Sequence, residues 1–359
     1  MKKRIAILTG GGDCPGLNAV IRAVSKKAMF EYGMEVLGVE DGYEGLVENR
    51  FRKLENSHVS GILTLGGTIL GTSNKADPYR WAVSKDGKTE DRSKEVFQNI
   101  QKMDIDCLVC VGGDGTLAVA QKLFNDGVPV VCVPKTIDND LYGTDITFGF
   151  DSAVAVATEG IDRLHTTAQS HHRVMIIEVM GRNAGWIALY AGVAGGGDII
   201  LIPEIPYDLE KIVQKVEERG KTGKRFSIVV AAEGARPVGG KVVIKKIVKD
   251  SPEPVRLGGV SFILADQIEQ KAGLETRAVV LGHLQRGGSP TAFDRVLATR
   301  LGTKAVDMIV RQEFGFMAGV RCNSLVSVPL AEVAKGSKSV PLDYPLIQSA
   351  RAVGTCFGD

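Results

Sequence analysis

The stretch CLVCVGGDGTLAVAQKLFNDGVPVVCVPKTIDND, residues 107–140, decides the fold. Two apolar runs, LVCV (108–111) and VPVVCV (128–133), read as buried strands, and Leu117 to Asn125 between them follows helical spacing. The same alternation continues outward. IAIL (5–8), VMIIEV (174–179), IILI (199–202) and SIVVAA (227–232) read as further buried strands. Asn18 to Tyr32, Ser93 to Met103 and Asp151 to Thr167 read as helices, the last with Asp151 as its N-cap. Such alternation predicts an α/β fold with mostly parallel sheets, helices on both faces, and chemistry in the loops at the carboxyl ends of strands. Two polar stretches, Asn74 to Arg92 (with Pro78 and Gly87) and Lys241 to Arg256 (with Pro252 and Pro254), read as surface excursions.

The chain's 359 residues suffice for two domains of ordinary size, and 44% hydrophobic with 24% charged residues is normal for a globular enzyme. A net charge of +2, with basic residues spread along the whole chain, argues against a dedicated nucleic-acid binder. The six cysteines form no repeated framework. Cys107 and Cys110 make a CxxC, but residues three apart in a strand point to opposite faces, so both are expected as core thiols. The opening MKKRIAILTGGGD enters a strand without a signal-peptide pattern, and no uncharged apolar run reaches the roughly 18 residues of a membrane span. The expectation is a cytoplasmic protein with no membrane partner.

Four groups of residues carry chemistry. TGGGDCPGLN (9–18) runs from a strand through three glycines into a helix, where a close-approaching backbone and free N–H groups suit a phosphate. It lacks the endings of the Walker and Rossmann loops, so a tight structural turn is the alternative. VGGDGT (111–116) repeats the pattern with a carboxylate, Asp114, suited to Mg²⁺ beside a phosphate; capping of the next helix is the alternative. PKTIDND (134–140) sets Asp138 and Asp140 two residues apart beside Lys135 and Thr136. One acid could hold a metal while the other accepts a proton from an attacking hydroxyl. A cationic set, Arg173, Arg182, Arg277, His283 and Arg286, supplies candidate phosphate ligands at strand ends, and Glu233 could bind sugar hydroxyls.

These motifs, in this order and spacing, resemble those of the 6-phosphofructokinases over nearly the full length; PKTIDND together with GHLQRGGSP is the specific pair. The resemblance implies two similar three-layer domains with the active site in the cleft between them. A donor domain would span 1–149 plus 285–335, and a sugar-phosphate domain 150–284 plus 336–359. It implies transfer of a phosphoryl group from ATP to the 1-hydroxyl of fructose 6-phosphate, with Mg²⁺. Asp138 would be the general base, and Asp114 and Asp140 would hold the metal. Thr136, Arg182 and Gly11 would sit at the transferred group. Gly11, Tyr43, Gly113, Asp114, Gly115 and Thr116 would bind ATP. Met180, Gly181, Arg182 and Glu233 would shape the sugar site, and His283 and Arg286 would grip the 6-phosphate. Arg173 and Arg277 would reach the site of a neighbouring subunit, which implies a homo-oligomer, dimer or tetramer.

Three positions depart from the usual family pattern. Gly115 leaves room for ATP, whereas Lys135 is typical of pyrophosphate users, so a pyrophosphate-dependent phosphotransferase is the alternative. Asn74 stands where an arginine is usual, and Lys135 is expected to replace part of that charge; Lys75 could instead fill the role. Arg22, Lys26, Lys224 and Arg225 match the regions of an effector site, but Asn56 and Gly61 replace its arginine and aspartate, so weak or absent activation by ADP is expected. GGDGT alone also occurs in NAD kinases and lipid kinases, and a non-catalytic metabolite-binding subunit is the remaining class. GHLQRGGSP opposes the first, and the presence of Asp114, Asp138, Asp140 and Arg182 opposes the second.

Overall fold

A computed structural model describes residues 3–83, 88–247 and 255–359. Gly87, Pro252 and Pro254 lie outside the described residues. The chain forms two separate sheets. A seven-stranded sheet runs in the order Ser324–Pro329, Phe316–Arg321, Val130–Pro134, Cys107–Gly112, Arg4–Thr9, Glu35–Val39 and Phe51–Leu54. Only its two outermost pairings are antiparallel. A four-stranded sheet runs Thr276–Val280, Val174–Val179, Ser227–Ala232 and Ile199–Leu201, with every pairing parallel.

The short apolar runs become strands because both faces of each are covered. Along Arg4–Thr9, Ile5 and Ile7 enter one core while Ala6 and Leu8 enter another. Cys107 and Cys110 divide in the same way, each buried as a free thiol on opposite faces. One continuous core joins the inner faces of the two sheets through the helices Leu17–Tyr32, Phe150–His171, Trp186–Ala194 and Ala292–Val310. Ser93–Lys102 and Asp114–Asn125 cover the outer face of the larger sheet, and Leu209–Lys221 and Val260–Ala272 that of the smaller. Each fully buried Leu or Ile stabilises this arrangement by about 1.5–3 kcal/mol.

Two helix starts differ from the sequence reading. The Phe150–His171 helix is capped by Gly149 rather than Asp151. Gly149 is left-handed, with φ 97°, and a Cβ there would lie 2.6 Å from Cys14 Sγ, so only glycine fits. Asp151 instead accepts from Thr291 Oγ1 at 2.5 Å. The helix expected from Leu117 begins at Asp114, one residue after Gly113. Within the first polar stretch, Trp81–Ala82 pairs antiparallel with Thr89–Glu90, and Ile244–Ile247 pairs likewise with Val255–Leu257 in the second.

Candidate active site

The carboxyl ends of the two sheets supply the loops of one cleft. After Arg4–Thr9 the chain turns through Gly10, Gly11 and Gly12. Gly11 adopts φ 78°, its N–H donates to Ser73 O at 3.0 Å, and its carbonyl accepts from Thr72 Oγ1 at 2.6 Å. After Cys107–Gly112, Gly113 caps the Asp114–Asn125 helix, leaving Asp114 and Gly115 exposed at its positive end. Asp114 Oδ1 accepts from Gly115 N at 2.8 Å, and a Cβ on Gly115 would meet nothing within 4 Å. After Val130–Pro134, Lys135 is buried and its ammonium donates to Gly12 O at 2.5 Å. Burial pushes that ammonium below its ordinary pKa.

The loop then doubles back to bury Asp138. Its N–H donates to Thr136 Oγ1 at 3.1 Å, and Asn139 takes the left-handed conformation that Asn tolerates, with φ 51°. Asp138 Oδ1 is buried without a hydrogen-bond partner. Burial pushes the Asp138 carboxyl up to about 6; Arg286 opposes this, Glu233 adds to it, and Arg182 and Lys135 also oppose it. Asp140 is pushed up to about 7, first by burial and then by the like charges of Asp138 and Asp114.

The smaller sheet supplies the facing loops. Val174–Val179 leads into Met180, Gly181 and Arg182, whose N–H donates to Glu233 Oε1 at 3.1 Å. Gly181 has φ 136°, and a Cβ there would lie 2.5 Å from Ala184 O. Glu233 follows Ser227–Ala232, and burial raises its pKa. Thr276–Val280 leads into the 3₁₀ turn Gly282–Arg286, with His283 exposed. Arg286 Nη1 crosses to donate to Asp13 O at 3.0 Å, joining the two sets of loops. A buried carboxylate, several cations and two glycine turns at strand ends thus lie together, an arrangement suited to phosphoryl transfer to an alcohol.

Not every candidate lies there. Arg173 precedes its strand, and Arg277 is the second residue of its own, so both sit at the amino ends of the smaller sheet. They share Glu275, at 2.7 and 2.5 Å. Arg173, grouped by its sequence with the cations at strand ends, thus stands before its strand rather than after one. Tyr43 and Thr116 pack beneath the glycine turns. Tyr43 is buried and its hydroxyl donates to Thr116 O at 2.8 Å, while the Thr116 side chain fills the space left by the missing Cβ atoms of Gly10 and Gly112.

Residues unassigned from the sequence also contribute. Asp41, Glu44, Thr72 and Ser73 join Gly11, Gly12 and Asn74 around a cavity of about 420 Å³. The signal for Asp41 was its place just past the strand Glu35–Val39. Elsewhere, Lys224 and Arg225 line a smaller cavity of about 160 Å³, and Lys26 Nζ donates to Asn56 Oδ1 at 2.8 Å. Among the described residues no group of three or more His, Cys, Asp or Glu forms a ready-made metal cage, and no helix is long and apolar enough to cross a membrane.

The family model described as Phosphofructokinase matches residues 4–309. The chain is 52% identical to "ATP-dependent 6-phosphofructokinase 2" of Clostridium perfringens, covering 99% of both chains. It is also 52% identical to "ATP-dependent 6-phosphofructokinase" of Spirochaeta thermophila, over 99% of this chain and 98% of that one. Among solved structures, Pichia pastoris phosphofructokinase in the T-state superposes with a TM-score of 0.80 at 32% identity, covering 99% of this chain and 37% of that one. A pyrophosphate-dependent phosphofructokinase from Nitrosospira multiformis shares the fold, with a TM-score of 0.82 at 21% identity, over 100% and 93% of the two chains. With its strand-end loops and nearly its whole length matched, the chain belongs to the phosphofructokinase family.

Proposed function

We infer that the protein is an ATP-dependent 6-phosphofructokinase, transferring the γ-phosphoryl group of ATP to the 1-hydroxyl of fructose 6-phosphate to give fructose 1,6-bisphosphate. The relatives matched over their whole length carry this reading. The two sheets support a donor domain of residues 1–149 plus 285–335 and a sugar-phosphate domain of 150–284 plus 336–359.

Asp138 takes the proton of the 1-hydroxyl on its unpartnered Oδ1. Gly11, Thr136 and Arg182 receive the moving phosphoryl group and its charge, and Gly113 with Asp114, Gly115 and Thr116 forms the cradle for the rest of the donor. Met180, Gly181 and Glu233 hold the sugar, while His283 and Arg286 hold its 6-phosphate. Asp114 and Asp140 suit Mg²⁺, which commonly keeps one or two carboxylates and takes its other oxygens from phosphates and water, so the lack of a protein cage among the described residues is compatible with it. Bound there, the ion would neutralise donor charge.

Arg173 and Arg277, directed away from the chain's own cleft, support a homo-oligomer in which they complete a neighbour's sugar-phosphate site. The replacements at Asn56 and Gly61 support weak or absent ADP activation, and the cytoplasm is the setting. The ammonium of Lys135 against the Gly11–Gly12 turn favours pyrophosphate as a second donor. Steady-state rates with ATP and with pyrophosphate, each with fructose 6-phosphate, test the assignment. ATP turnover at least tenfold above pyrophosphate turnover is expected, and the reverse ratio overturns ATP as donor. In the same assay Asp138→Asn should lower kcat by about 10²–10⁴-fold; wild-type kcat would remove Asp138 as the base.

A further inference from the structure

Lys338 lies in a turn-rich stretch far along the chain from the loops of the cleft, yet it binds to both sides of them. Its ammonium donates to Asp145 O at 2.8 Å, Thr144 O at 2.9 Å and Asn139 Oδ1 at 3.3 Å. Its own N–H donates to Asp140 O at 2.6 Å. Its carbonyl accepts from Trp186 Nε1 at 2.9 Å, and its ammonium stands 5.3 Å from the centre of the Trp186 ring. Two residues on, Val340 N donates to Glu204 Oε1 at 2.8 Å, and the same carboxylate accepts from Gly185 N at 3.0 Å.

The chemistry explains why a lysine stands there. The chain reverses at Asn139 and leaves acceptors converging on one point. An ammonium carries three N–H donors and no acceptor, so it satisfies that point alone. The cost of burying it is visible, since burial draws its pKa down to about 8, and the paired acceptors offset that cost. The location gives the arrangement a consequence beyond stability. Asn139 and Asp140 flank and follow Asp138, whereas Gly185 and Trp186 open the helix that follows Arg182.

We propose that Lys338 is a positioning residue for phosphoryl transfer, holding the 138–140 loop in register with the Arg182 loop across the cleft. This rests on the assignment of Asp138 and Arg182 to the reaction. Lys338→Met, in the full chain, keeps the aliphatic stem and removes the donors. Misplacement of reacting groups by about 1 Å costs on the order of 10²-fold in rate, so kcat should fall at least fivefold while KM for ATP and for fructose 6-phosphate each stays within threefold. Ile268→Ala, in the outer core of the smaller sheet, serves as the matched control: it should lower Tm and leave kcat unchanged well below the melting transition. A loss under fivefold in folded Lys338→Met, or an equal loss in Ile268→Ala, overturns the proposal. Should Lys338→Met not accumulate as folded protein, Lys338→Arg decides, because a planar fork cannot serve the same convergent acceptors. A fivefold loss at unchanged KM supports the proposal, and wild-type kcat overturns it. Asp138→Asn, measured alongside, separates the two levels. If it stays active, the assignment of the site fails and Lys338 with it; if it is inactive while Lys338→Met is not, only the role of Lys338 fails.

Discussion

Gly12→Ala probes how closely the loops of the two sheets meet. Gly12 lies outside the left-handed region, so alanine introduces no backbone strain. Its Cβ would stand 2.8 Å from Arg286 Nη1 and 3.0 Å from Arg286 Cζ. Comfortable contacts are about 3.5–4.0 Å, so the guanidinium must withdraw by roughly 1 Å. Because the obstacle is the far end of a flexible side chain, the fold should hold. The loss falls on the Arg286–Asp13 bond and, in the proposed function, on the hold of Arg286 on the substrate's 6-phosphate. A hydrogen bond involving a charged group contributes about 1.5–3 kcal/mol. At about 1.4 kcal/mol per tenfold, KM for fructose 6-phosphate should rise roughly 10- to 100-fold, with a smaller change in kcat. The assay is steady-state kinetics at saturating ATP, repeated in an Arg286→Ala background. There the added methyl has nothing left to displace, and its further effect should be under threefold. An unchanged KM in the single variant, or a full additional loss in the double variant, would refute the reasoning.

Three further outcomes are expected. Gly115→Asp places a carboxylate in open space, so Tm should hold while KM for ATP rises at least tenfold and pyrophosphate use is spared; equal losses with both donors would contradict the steric role of Gly115. Asn74→Arg and Lys135→Gly should couple in a double-mutant cycle on kcat, since Asn74 lines the cavity at Gly12 and the Lys135 ammonium binds Gly12 O; strict additivity would exclude compensation. Asp294 is fully buried and its carboxyl is pushed up to about 6, mainly by burial against the pull of the Ser152 N–H and hydroxyl. The folded state therefore binds this proton more tightly than the unfolded chain, whose carboxyl titrates near 3.9. Stability from this group is present at low pH and lost as pH rises through about 6, by on the order of 3 kcal/mol. Urea midpoints of Asp294→Asn should lack this decline between pH 4 and 7; parallel curves for the two proteins would reject it.

The inner strands were legible because burial on both faces leaves a continuous hydrophobic signature. The loops that follow them could then be read from the chain, 9–18 and 111–116 by their glycines and 134–140 by its paired acids beside a lysine. Residues acting through others were not legible. Tyr43 and Thr116 were expected at the nucleotide, but nothing local showed that the Tyr43 hydroxyl holds Thr116 O or that the Thr116 side chain packs against Gly10 and Gly112. Asp151 had the chemistry of a cap, but the packing of Cys14 gave the position to Gly149. Arg173 and Arg277 share their residue type with Arg286, and only the direction of their strands shows that they sit at the other end of the sheet. Lys338 gives no local signal at all, since its partners are backbone carbonyls nearly two hundred positions upstream.

The smaller sheet is finished by residues from well beyond its own segment. Cys356 bridges in parallel to Ile199, Asp208 N donates to Gly358 O at 2.6 Å, and Phe357 is wholly enclosed. During synthesis its four strands emerge long before this border does, and the Phe316–Arg321 and Ser324–Pro329 strands of the other sheet must appear in between. The late border leaves the Ile199–Leu201 edge open through most of translation, a window in which another nascent chain could pair with it.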